Sequence, residues 1–266
     1  MIDYSVPGPL TELRPDQVHL ADSLPTDPRA ICKAVQSLVI QPRDAPAAGI
    51  PDERIPEKNL RSAAALVDAL IAQDPRPLSE ARTAERRVVG TCRHFATLAT
   101  ALLRFRGVPA RARCGFGAYF VKGRNLDHWV IEYRPAQGDR WIRLDVENLD
   151  RHWPAHLDDL QPGEFLTGGE AWQWYRTGEV DGDLFGVGGP DPVWGPGEIR
   201  GNAIRDLAAL NKVEMLPWDE WSRMDDSYQG RTGPDFDALM DEIVATTDPE
   251  SLYRKEDLAV PEELIN

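Results

Sequence analysis

Apolar and polar positions along this 266-residue chain repeat with two periods, and the change from one to the other lays out its elements. Residues 1–26, rich in Pro, Asp and Leu, keep neither period and read as an extended arm with turns. Asp27-Pro28 then opens a helix, Asp27 as the cap and Pro28 at the first helical position, with Ile31, Ala34, Val35 and Leu38 on one stripe. That helix is predicted to end near Ile40, and the four prolines of residues 41–58 make the next stretch a loop. A second helix is predicted over residues 59–73, where Ala63, Leu66, Leu70 and Ile71 recur at helical spacing before Asp74-Pro75-Arg76-Pro77 stops it.

Residues 88–146 hold the strongest pattern. Thr91 is a good cap for a helix from Cys92 to about Arg106, along which Cys92, Phe95, Ala96, Ala99, Leu102 and Leu103 form a buried stripe. Gly107-Val108-Pro109 ends it, and residues 110–121 change to the two-residue period of a strand. A hairpin is then predicted from residues 126–133 and 140–146, joined through Pro135-Ala136-Gln137-Gly138. A turn centred between Ala136 and Gln137 pairs Trp129 with Leu144 and Ile131 with Ile142 on one face. On the other face it sets His128 opposite Asp145, Val130 opposite Arg143 and Glu132 opposite Trp141. A slip of one residue would break the apolar pairs and the polar one together.

Beyond Asp150 the pattern loosens. Long Gly- and Pro-rich connections, including residues 186–197, surround a short helix near residues 170–176. A clearer helix spans about 198–211, residues 218–224 suggest a further helical turn, and 235–245 fit a last amphipathic helix before an acidic, mobile end. Residues 1–150 therefore read as one unit, and residues 151–266 as a loop-rich extension packed on it rather than an independent domain.

Composition narrows the function. Hydrophobic residues at 42% support a sizeable core. The net charge of −14 is uneven: residues 161–266 hold 23 acidic and 8 basic side chains, against 21 and 22 in residues 1–160. An acidic chain repels phosphate backbones, so no nucleic-acid partner is expected. No apolar run approaches the roughly 18 residues of a membrane span, so no membrane partner is expected. The first residues lack the basic and apolar regions of a secretory signal, which points to a cytoplasmic protein. Three unevenly spaced cysteines, with no Cys-x-x-Cys, exclude a disulfide scaffold and read as free thiols.

Among these thiols Cys92 stands apart. A helix N-terminus favours the thiolate, so Cys92 should react below the ordinary thiol range of about 8.5. A histidine can take its proton, and a carboxylate behind the histidine fixes the tautomer. By default a cysteine on a buried stripe is inert and a strand histidine is merely hydrogen-bonded. What lifts Cys92, His128 and Asp145 above that default is the register that brings the last two together. The backbone N–H groups at the helix start, that of Cys92 included, would form an oxyanion hole. Cys32 and Cys114 have no histidine partner in the pattern and read as structural. His94 lies about 200° round the helix from Cys92 and suits a wall of the site better than the base. Arg93, His94, Trp129 and Arg143 are the candidate substrate contacts, although pairing with acidic groups such as Glu132 competes for the arginines. His152 and His156, with Asp158 and Asp159, lack a well-placed third ligand, and no calcium loop is present; no metal and no cofactor is expected.

The runs Gly90-Thr91-Cys92-Arg93-His94-Phe95-Ala96, Leu102-Leu103-Arg104, Gly107-Val108-Pro109-Ala110-Arg111, Asp127-His128-Trp129-Val130 and Trp141-Ile142-Arg143-Leu144-Asp145 together resemble the transglutaminase-like core of the papain-type superfamily. The resemblance covers residues 88–146 and reaches loosely upstream. It implies an α+β fold in which a central helix, opened by the cysteine, packs on an antiparallel sheet carrying the histidine and aspartate. It assigns those roles to Cys92, His128 and Asp145, and implies acyl transfer through a thioester from a small-molecule or peptide amide or ester, to water or to an amine. Members of that superfamily also include proteins that have lost catalysis, so a binding or scaffold protein on the same fold is the alternative. A closed pocket would point to a small substrate and an open groove to a polypeptide. The Trp- and Gly-rich loops beyond residue 150 are the expected source of that choice.

Overall fold

A computed structural model describes residues 2–189, 192–221, 223–255 and 258–265. In chain order its elements are α1 (Pro28–Gln36), β1 (Val39–Ile40), α2 (Ala63–Gln73), β2 (Val88–Val89), α3 (Cys92–Phe105), β3 (Ala110–Val121), β4 (Arg124–Tyr133) and β5 (Ile142–Leu144). There follow β6 (Phe165–Thr167), α4 (Gly168–Thr177), β7 (Phe185–Val187), β8 (Val193–Trp194), α5 (Pro196–Leu210), α6 (Met224–Tyr228), α7 (Pro234–Ala245), α8 (Pro249–Tyr253) and α9 (Glu262–Ile265). The fold is α+β: α3 packs on a mixed, mostly antiparallel sheet, with further helices toward the C-terminus.

Local chemistry accounts for the element starts. Asp27 caps α1 by accepting from the Ala30 N–H at 2.8 Å, and Ser62 caps α2 by accepting from Ala65. Helix α1 stops at Gln36, four residues short of the predicted end, because Val39 and Ile40 are taken up as a strand parallel to Val88 and Val89. Helix α2 starts at Ala63 rather than near residue 59, since residues 52–59 wind as a 3₁₀ segment. Strand β3 has the predicted bounds, and its long antiparallel ladder with β4 runs from Ala110–Tyr133 to Gly117–Leu126.

The hairpin register differs from the expected one. Ile131 pairs with Leu144, Glu132 with Arg143 and Tyr133 with Ile142, two residues from the predicted alignment. A two-residue shift leaves every side chain on its original face, so the apolar pattern does not tell the two registers apart. The turn decides, and within it Gly138 sits at φ 137°, a conformation that favours glycine.

The sheet continues through segments far away in the chain. Order β6-β3-β4-β7-β8 sets β6 beside β3, β7 parallel to β4 and β8 antiparallel to β7, and β5 also pairs with β4. Strand β6 approaches closely only because residue 115 is glycine: a Cβ there would lie 2.0 Å from the Leu166 carbonyl oxygen.

The two largest apolar clusters among the described residues follow this layout. One joins α1, α2, α3 and the inner faces of β3 and β4 around Trp129, Ile131, Leu98 and Leu102. The other gathers Phe116, Trp172, Phe185, Ile204 and Phe236 under α4, α5 and α7. Leu252, Leu258 and Val260 are buried in the second cluster, so the tail that was expected to be mobile is tied down by its apolar residues. The helical turn expected at residues 218–224 falls instead at α6, because Asp219 accepts from the Leu216 N–H and Trp221 is buried. Pro190 and Asp191 of the Gly/Pro-rich connection, Ser222 of that expected turn, and Glu256, Asp257 and Asn266 of the tail lie outside the described residues. No helix of the described residues is long and apolar enough to cross a membrane.

Candidate active site

Helix α3 begins at Cys92, and its start is fixed from both sides. His94 folds back over the first turn, where its Nδ1 accepts from the Thr91 N–H at 3.0 Å. Its Nε2 therefore carries the proton and meets the Leu60 carbonyl at 3.1 Å. Burial, and then the neighbouring Arg93 charge, push the His94 imidazole down to about 3, so it stays neutral. The β1–β2 pair, closed by the Gly90 N–H to Ile40 carbonyl bond at 2.9 Å, carries Gln41 to the same spot.

His128 comes from the middle of β4. Its Nε2 lies 2.9 Å from Asp145 Oδ2, although the two residues stand diagonally across the ladder rather than directly opposed. That leaves Nδ1 for the thiol: the sulfur, a His128 ring nitrogen and a Glu147 carboxylate oxygen all lie within 4.8 Å of one another. The ring is walled by Phe120, with centroids 4.9 Å apart, and by Tyr119.

Asp145 is wholly buried and fully engaged. Tyr119 donates its hydroxyl to Oδ2 at 2.6 Å, the Asn148 side chain donates to Oδ2 at 2.8 Å, and the Asn148 N–H donates to Oδ1 at 3.1 Å. Trp153 in turn holds Asn148, its indole N–H donating to Oδ1 at 3.1 Å. Burial opposes ionisation, but the His128 charge and these donors outweigh it and hold the Asp145 carboxyl below the usual range. Burial also works against a charged His128, yet the Asp145 carboxylate wins and raises the imidazole well above its ordinary value.

The thiol does not follow the expectation drawn from its helix. Burial pushes Cys92 up, and the carboxylates of Asp127 and Glu147 add to this, while His128 pulls it down only in part. Cys32 and Cys114 are buried free thiols, both pushed up by burial, and Cys114 donates to Asn202 Oδ1 at 3.3 Å.

The candidate substrate contacts sit elsewhere. Arg93 is buried and donates to the Glu214 carbonyl, because its position on α3 turns it away from the sulfur. His94 is used up as the cap described above. Trp129 is buried in the first apolar cluster, on the opposite strand face from His128. Arg143 is shared between Glu132 and Glu170 and lines a separate cavity of about 620 Å³.

In their place stand residues that sequence reasoning missed. The cavity at Cys92 measures about 770 Å³ and is lined by Gln41, Arg43, Asp127 and Glu147 on its polar side. Glu147 is buried; Gln41 donates to its Oε2 at 2.8 Å and Arg43 to its Oε1 at 3.0 Å. Glu147 lies in the turn that follows β5, so strand alternation did not point to it. Phe120, Leu126, Trp153, Val187, Pro217 and Trp218 make the apolar side. Four of these six come from beyond residue 150, and Trp218 stays 44% exposed at the rim, which fits loops that shape the cleft.

Known proteins add one match. The family model described as transglutaminase-like superfamily, of the core type, matches residues 52–146, a span that holds Cys92, His128 and Asp145 and ends one residue before Glu147. No curated protein and no solved structure gives a significant match. Residues 52–146 of this chain are thus a core domain of the transglutaminase-like superfamily.

Proposed function

We propose that this chain is a cysteine-dependent acyl-transfer enzyme in which Cys92 is the nucleophile, His128 the proton shuttle and Asp145 the group that orients His128. The single observation that carries the reading is the continuous chain from the Cys92 sulfur through His128 to an Asp145 held by three further donors. A merely structural histidine has no need of a carboxylate so fully satisfied on one nitrogen and a thiol on the other.

In the proposed reaction the neutral form of His128, which its raised value places toward higher pH, takes the thiol proton on Nδ1 as sulfur attacks the carbonyl of an amide or ester. The Cys92 N–H, at the first position of α3, has no partner within the helix and is available to the developing oxyanion. His128 then gives its proton to the leaving amine or alcohol, and a thioester remains. Water or an amine takes the acyl group, with His128 receiving a proton from it. A cavity of about 770 Å³ with aromatic and aliphatic walls supports a small molecule or one side chain of a peptide as the acyl donor.

The test is mass-spectrometric trapping of an acyl group on Cys92 after incubation in cell extract, with iodoacetamide labelling followed against pH. An adduct on Cys92 that vanishes in His128→Ala is expected. Because His128 pulls the thiol down, its removal should also move the labelling profile to higher pH. Absence of any adduct, together with a Cys92 no more reactive than Cys114, would sink the enzyme reading and favour a scaffold on the same fold.

A further inference from the structure

Sequence patterns gave no reason to expect a metal site, but tertiary structure assembles a three-donor set that no motif spells out. Cys92 Sγ, a His128 ring nitrogen and a Glu147 carboxylate oxygen all lie within 4.8 Å of one another, and all three side chains are buried at the cavity. We propose that these three residues form a binding site for a borderline-soft divalent cation, Zn²⁺ above all, and that this cation and an acyl donor compete for the same thiol. The site itself stands without the acyl-transfer reading, whereas the competition rests on it.

The donor chemistry selects the metal. One thiolate, one imidazole and one carboxylate suit Zn²⁺, whereas Ca²⁺ and Mg²⁺ want oxygen ligands throughout. Ligand atoms on a tetrahedral zinc, bound at about 2.0 to 2.3 Å, stand about 3.3 to 3.6 Å apart. From separations of up to 4.8 Å the donors need to close by up to about 1.5 Å to reach that geometry. Outer partners are already in place: Asp145 holds the far nitrogen of His128, and Gln41 and Arg43 hold Glu147. A carboxylate behind a ligating histidine fixes its tautomer and presents the other nitrogen to the metal. The cavity offers the fourth position to water or to a ligand. Binding makes one bond each from sulfur, nitrogen and oxygen to zinc. It releases the thiol proton to solvent, with any proton on His128 Nδ1, and nothing is oxidised or reduced.

The experiment uses the full chain freed of metal with a chelator. Zn²⁺ is titrated against a chromophoric competitor, and Co²⁺ serves as the spectroscopic probe. One equivalent should bind, give a thiolate-to-cobalt charge-transfer band and suppress iodoacetamide labelling of Cys92 until chelator is added. Asp145→Asn should weaken Zn²⁺ by about 10- to 100-fold, and Glu147→Gln by at least as much. Unchanged affinity in Glu147→Gln would overturn the proposal, as would a cobalt band that persists in Cys92→Ala. Should Glu147→Gln fail to fold, the cobalt spectrum of Cys92→Ala decides alone. Metal binding without acylation refutes the proposed function and leaves this site standing; acylation that Zn²⁺ does not touch does the reverse.

Discussion

Strand β4 carries two buried polar centres four residues apart, and they are solved in opposite ways. Toward its C-terminal end Glu132 is gripped by Arg111, Arg113 and Arg143, with Arg113 at 2.7 Å and Arg143 at 2.9 Å, and Arg113 reaches on to Asp206. In the middle His128 has one firm partner, Asp145, and turns its other nitrogen to a thiol beside an open cavity. At Glu132 opposite charges outweigh burial and hold the carboxyl far below its usual range. Every strong group there is spoken for. At His128 a polar position is left over, and a leftover position is where chemistry can happen.

Four changes should break or sharpen this contrast. Asp145→Asn has the largest expected effect: the wrong tautomer of His128 should cut acylation of Cys92 by about 10⁴-fold with little change in the fold, as single-turnover kinetics would show. A loss under tenfold would place Asp145 among the structural groups. Glu132→Gln should do the opposite, costing about 3–5 kcal/mol in denaturant melts by removing the one buried carboxylate that Arg111, Arg113 and Arg143 share, while activity per folded molecule is kept. If activity collapsed and stability held, the two centres would have been assigned the wrong way round.

The next effect is on pH. The folded value of Glu132 is depressed, so its stabilisation is present above the ordinary glutamate value of about 4.3 and is lost as pH falls through the lowered one. The folded value of His128 is raised, so its contribution is complete below about pH 6.5 and is lost as pH rises through the raised one. Melting temperatures across pH should therefore show a loss on each side, with Glu132→Gln removing the acid one and Asp145→Asn the alkaline one. Tyr119→Phe is the mildest change. It deletes one of four contacts to Asp145 and should cost about 1.5–3 kcal/mol, with a modest fall in activity that a steady-state assay would resolve.

The chain itself determined what short-range physics controls. Thr91 before a helical stripe put Cys92 at a helix start, and the strand period of residues 110–121 set β3 to the residue. Alternation also placed His128 and Asp145 on one face, because side-chain direction in a strand depends only on odd or even position. Only the tertiary structure decided the rest. Alternation is blind to a shift of two, so the register of β4 with β5 waited on the turn. Strands as short as β6, β7 and β8 have no period of their own and exist through the edges they meet. Glu147, Gln41, Arg43 and the Trp-bearing walls reach Cys92 from separate segments of the chain, and such closure leaves no local trace in a sequence. Helix and strand periods set up the thiol, the imidazole and the aspartate; long-range packing supplied the second carboxylate and the cavity they face.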